Sequence, residues 1–136
     1  MAGLGQVAPA LPVRDIAAAV AYYEERFGFA CPHRDDGFAV LTRDAARIHL
    51  WTKPCAGTRA AAAQSEPGLV RDDTCEVGEA AQFETDEVDA LYAELQGTGV
   101  LHRVSTDGVT TTDFGTREFA TTDLDGNLIE FYRWVR

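Results

Sequence analysis

The chain has 136 residues, 46% hydrophobic and 25% charged, a balance that supports one soluble domain with a real core and excludes a disordered chain. A formal net charge of −10 repels phosphate backbones, so no nucleic-acid partner is expected. No apolar run reaches membrane-spanning length and no basic-then-apolar leader opens the chain, so no membrane partner and a cytoplasmic location are expected.

In chain order, residues 8–13 read as a strand interrupted by Pro9 and Pro12, which lack an N–H and fit an edge, a start or a kink. A helix follows: Ile16, Ala19, Val20, Tyr23 and Phe27 keep the spacing of one buried face, with Asp15 to cap its start and Gly28 to stop it. Residues 29–34, 38–42 and 47–51 alternate as strands, parted by the turn signals Asp35-Asp36-Gly37 and Arg43-Asp44-Ala45-Ala46. Residues 52–73, rich in Ala, Gly, Pro and charge, read as a linker. Residues 80–85 are a strand. Val88, Leu91, Tyr92 and Leu95 form a second amphipathic helix started by Asp86 or Glu87 and ended by Gly97. Strands at 100–105, 117–122 and 127–134 complete the series, the last pair joined through Asp125-Gly126. Cys31, Cys55 and Cys75 contain no Cys-x-x-Cys pair, so reduced thiols are expected in place of a zinc knuckle or a dithiol redox motif.

The two halves repeat one another. Ile48-His49-Leu50-Trp51 matches Ile129-Glu130-Phe131-Tyr132, and Phe38-Ala39 matches Phe119-Ala120, both pairs at one common separation along the chain. Before the helices, Arg14-Asp15-Ile16 matches Asp86-Glu87-Val88 at a shorter separation, which places an insertion near 105–115. The expected fold is α+β: two tandem βαβββ modules, about 6–51 and 76–136, forming a curved sheet cleft within a single domain. One helix per four strands covers one sheet face and leaves the other to a partner or ligand.

The segments "LPVRDIAAAVAYYEERFGF" and "FATTDLDGNLIEF", set in paired βαβββ modules, resemble the vicinal oxygen chelate superfamily of glyoxalases, bleomycin-resistance proteins and dioxygenases. In its metal-dependent members ligands come from the first and last strand of each module. The resemblance carries those positions to Ala8, His49, Ala80 and Glu130, or to Gln6 if the first strand is shifted by two. Only His49 and Glu130 are donors, fewer than the three that a catalytic metal takes from protein. The resemblance therefore implies no cofactor, with a divalent metal at His49 and Glu130, in a glyoxalase-like lyase or a dioxygenase, as the alternative.

The bleomycin-resistance branch is more similar. "APALPVRD" carries Pro9 where such proteins kink a first strand that exchanges between subunits of a homodimer. "DDGFAVLTRD" resembles the stretch that brings an aromatic, here Phe38, to the ligand groove. "DFGTREFATTD" resembles a groove loop in which Phe114 stands where Trp is common. The implied function is binding and sequestering a bleomycin-type glycopeptide without chemistry. Such a guest has planar rings and a cationic tail, which call for aromatic faces and acids. Phe38, Trp51 and Phe114 are the stacking candidates, and each also reads as an ordinary core residue. Trp51 lies two residues from His49 and so shares its face. Asp36 and Asp113 sit where acids can meet the cation, although turn chemistry alone accounts for them. His49 and Glu130 are expected to pair with one another or with ligand, and Arg117 with Glu118.

Overall fold

The computed structural model describes residues 2–53 and 78–135. Cys55, Cys75 and most of the stretch read as a linker lie outside them. The first module runs β1 (Ala10–Val13), α1 (Ile16–Tyr22), a π turn (Tyr23–Phe27), β2 (Ala30–Arg34), β3 (Phe38–Arg43) and β4 (Ala46–Thr52). The second runs β5 (Ala80–Glu84), α2 (Val88–Gln96), a 3-10 turn (Arg103–Ser105), β6 (Thr110–Thr111), β7 (Thr116–Thr122) and β8 (Leu128–Trp134). Each module makes a four-stranded mixed sheet, ordered β1-β4-β3-β2 and β5-β8-β7-β6.

Local chemistry explains the helix ends. The Asp15 carboxylate accepts the Ala18 N–H at 2.9 Å, and Gly28 takes the left-handed φ of 74° that closes the π turn. In α2 the expected Gly97 stop keeps a right-handed φ of −86°; the left-handed residue is Gly99, two positions later, at φ 79°. Both helices press their apolar stripe on one face of their sheet. Leu11, Leu50 and Ala39 form a row across the first sheet, and Phe83, Phe131 and Phe119 form the matching row in the second, with ring centroids 6.1 and 5.3 Å apart. These rows, with Val20, Tyr23, Phe27, Val88 and Leu95, belong to one continuous core. Burying each large side chain contributes roughly 1.5–3 kcal/mol.

Three readings of the sequence need correction. The strand expected at 100–105 is reduced to a bridge between Leu101 and Thr121. His102 then accepts the Val104 N–H at its Nδ1, and the Ser105 hydroxyl accepts the Ala120 N–H, so a 3-10 turn replaces the ladder. The edge strand resumes as β6, inside the stretch read as an insertion. Second, the β7–β8 turn is longer by a single position than the β3–β4 turn. Strand β4 maps onto β8 as the sequence match implies, His49 onto Glu130. Val40, opposite His49, therefore corresponds to Ala120, opposite Glu130, and not to Thr121 as the same match would have it. Phe119 is thus the counterpart of Ala39 on the core side, and Glu118 is the counterpart of Phe38. A slip by a single position exchanges the two faces of a strand. Third, Arg117 points to the helix side and binds Asp89 of α2 through Nε and Nη2, the shortest contact being 2.6 Å. These hydrogen bonds hold the Asp89 carboxyl below its usual range. Glu118 lies on the opposite face and accepts the Thr116 hydroxyl.

The modules are joined where the β7–β8 turn meets β1 and α1. Asn127, fully buried, donates through Nδ2 to the Pro12 carbonyl at 2.9 Å and to Asp123 at 2.8 Å, and its Oδ1 accepts the Glu79 N–H. The Tyr23 hydroxyl donates to Asp123 at 2.7 Å. Burial and the neighbouring Asp123 carboxylate push the phenol far above its ordinary range, keeping it a donor. Arg14 donates through its backbone N–H and Nη1 to Asp125 Oδ1 at 3.0 and 3.1 Å. Burial raises the Asp125 carboxyl above its ordinary value despite those bonds.

Candidate ligand-binding faces

The face of each sheet turned away from the helices carries the side chains that the core does not use. On the first sheet, strand pairing sets Ala10, His49, Val40 and His33 in one row and Pro12, Trp51 and Phe38 in the next. The Phe38 ring meets His49 edge-on at 5.3 Å, and His33 lies 6.3 Å from Phe38 on its other side. Trp51 is 41% exposed. The result is an aromatic platform.

On the second sheet, Gln82, Glu130 and Ala120 form one row and Glu84, Tyr132 and Glu118 the next. Tyr132 packs edge-on against Trp134 at 6.1 Å. Three carboxylates thus surround two aromatic rings, a surface suited to a ring that carries positive charge. Tyr132, Trp134 and Gln82 went unmarked in the sequence. The period-two alternation that joined Trp51 to His49 would have found the first two from Glu130. Gln82 needed the parallel register.

The remaining candidates stand apart from the rows. Phe114, 67% exposed, and Asp113 lie on the turn that Thr112 and Thr116 close before β7. Asp36 lies in the turn before β3, where its carbonyl accepts the Thr52 hydroxyl. Pro9 precedes β1, and its carbonyl accepts the His49 N–H at 2.9 Å.

His49 and Glu130 do not pair with each other. Gln82 Nε2 donates to Glu130 at 3.0 Å, while His49 Nε2 is buried without a hydrogen-bond partner among the described residues. The first-strand positions beside them are Ala10 and Gln82, not Ala8 and Ala80: Ala8 precedes β1, and Ala80 pairs with Leu128. No group of three His, Cys, Asp or Glu able to hold a metal occurs among the described residues. A methyl group faces His49, and the Glu130 carboxylate is engaged by an amide. This donor set does not fit the metal centre of the superfamily's enzymes.

A sequence model described as the Glyoxalase/Bleomycin resistance protein/Dioxygenase superfamily matches residues 3–131. The chain belongs to this superfamily. It is 34% identical over 132 residues to a bleomycin resistance protein of Geobacillus stearothermophilus, covering 96% of this chain and 98% of that one. A bleomycin resistance protein of Staphylococcus aureus matches to the same extent. Among solved structures, a bleomycin resistance determinant encoded on the transposon Tn5 superposes with a TM-score of 0.69 at 23% identity, covering 96% of this chain and 98% of that chain. A bleomycin-binding protein complexed with bleomycin superposes with a TM-score of 0.67 at 23% identity and the same coverage. The match to the superfamily accordingly extends over nearly the whole chain. No described helix is long and apolar enough to cross a membrane.

Proposed function

We propose that the protein binds a bleomycin-type glycopeptide and sequesters it without altering it. The observation that carries this reading is the division of labour between the open faces, with aromatic rings around His49 on one sheet and carboxylates around Tyr132 on the other. The 34% identity to bleomycin resistance proteins along almost the full chain supports it. Planar rings of the guest stack on Phe38 and Trp51, each contact contributing about 0.5–1.5 kcal/mol beyond area burial. Glu130, Glu118, Asp36 and Asp113 attract its cationic tail, and Phe114 closes over the rings. The working form is a homodimer in which the segment around Pro9 is exchanged between subunits, with each groove built from both.

Tryptophan fluorescence tests the binding. Titration with bleomycin is expected to quench Trp51 and Trp134 saturably, and Trp51→Phe to remove much of the response. A flat titration would reject the ligand. Recovery of the drug by mass spectrometry separates storage from chemistry: unchanged mass is expected, and a modified product would replace sequestration with catalysis.

A further inference from the structure

The repeat creates two equivalent seams between the modules, and among the described residues side chains bridge one of them. Strand pairing fixes the correspondence: Ala10 beside His49 in the first module is Gln82 beside Glu130 in the second. Pro12 therefore corresponds to Glu84, Asn127 to Ala46 and Arg14 to Asp86. At the bridged seam the Asn127 amide donates to the Pro12 carbonyl and Arg14 neutralises Asp125. At the other seam a methyl group stands where the amide would be, and an acid stands where the arginine would be.

The space left is a recess of about 290 Å3 floored by Phe29, Phe83, Leu91 and Phe131, with Ala46 and Glu84 on its wall. In β5 the positions bonded to β8 are the odd ones, as shown by Leu128 N–H to Glu79 and Thr85 N–H to Tyr132. Ladder alternation thus turns the Glu84 carbonyl to the free edge of the sheet, as it turns that of Pro12. Among the described residues no side chain meets it as Asn127 meets Pro12. Asp44, Glu87 and Glu94 also line the recess. Among the described residues the guanidinium there is that of Arg43, already committed to Glu94 at 2.9 Å and to the Phe27 carbonyl at 2.8 Å, with Asp44 3.9 Å from its Nε.

We infer that this recess is a second small-molecule site, separate from the open faces, for a compact organic cation bearing N–H donors on an aromatic body, such as an arylamidine or arylguanidine. The guest supplies what Asn127 and Arg14 supply at the bridged seam: N–H donors for a sheet-edge carbonyl and positive charge beside carboxylates. Its rings rest on the phenylalanine floor, where aromatic and cation–π contacts add to burial. The volume falls just under the range of drug-sized pockets, so the guest is fragment-sized.

The test is an NMR titration of the full labelled chain with benzamidinium, using benzoate as the matched anion. Saturable shifts are expected at Phe29, Phe83 and Leu91, with none from benzoate. Ala46→Asn, which installs the missing amide, should weaken binding by about tenfold or more. Glu87→Gln, on an exposed side chain that endangers no fold, should weaken it by about threefold. Absence of saturable shifts, shifts centred on Trp51 or Trp134 instead, or unchanged affinity in both variants would each overturn the proposal.

Discussion

Asn127 shows how much one buried amide can hold. It sits immediately before β8, and its three side-chain bonds reach β1, the β7–β8 turn and the backbone before β5. Asn127→Ala would leave the Pro12 carbonyl and the Glu79 N–H without partners, at a cost of about 3 kcal/mol. Urea denaturation should show a lowered midpoint with an unchanged slope. Asp125, in the same network, gives a different signature. Burial raises its folded pKa above the ordinary 3.8, so the stability it contributes is fully present below the unfolded value and is lost as pH rises through the folded one. Asp125→Asn keeps the acceptor for Arg14 and removes the titration. Thermal melts of the variant should therefore decline less than those of the parent as pH rises from about 4 towards neutrality.

The repeat was legible in the sequence because helix periodicity and strand alternation are local. Ile16 to Phe27 and Val88 to Leu95 show their buried stripes without reference to anything distant. The phase of the second hairpin was not legible. Phe38-Ala39 and Phe119-Ala120 match as letters, yet a single extra turn position places the two phenylalanines on opposite faces, and only cross-strand pairing reveals it. The broken edge strand escaped for a similar reason, since its ladder is replaced by the side chains of His102 and Ser105. The two faces make separable predictions. Phe119→Ala empties a core position and should cost about 3–5 kcal/mol. Phe38→Ala, on the open face, should change stability little and weaken drug binding by about 0.5–1.5 kcal/mol. Denaturation and drug titration of both variants check this, and equal losses of stability would refute the assignment of faces.

The candidate site was half visible from the sequence. His49 and Trp51 could be placed on one surface by alternation and Phe38 beside them only through the resemblance, whereas Gln82, Glu84 and Glu118 come beside Glu130 and Tyr132 only through pairing across the second sheet. How such faces become a groove is a question about assembly. Strand β1 begins at Ala10, and the Pro9 carbonyl is already bonded to β4 of the same chain, so a complete first sheet does not require the residues before it. Those residues nevertheless include Leu4 and Val7, both almost wholly exposed, an arrangement a lone subunit gains nothing from. In the proposed homodimer the arm lies on the partner, where burying two aliphatic side chains contributes roughly 1.5–3 kcal/mol each. Removing residues 2–8 should therefore convert a dimer into a folded monomer, with the circular dichroism spectrum preserved and affinity for bleomycin reduced. Sedimentation across a concentration series decides it: a truncated chain that remains dimeric would refute the role of the arm, and a full-length chain that is monomeric throughout would refute the shared groove.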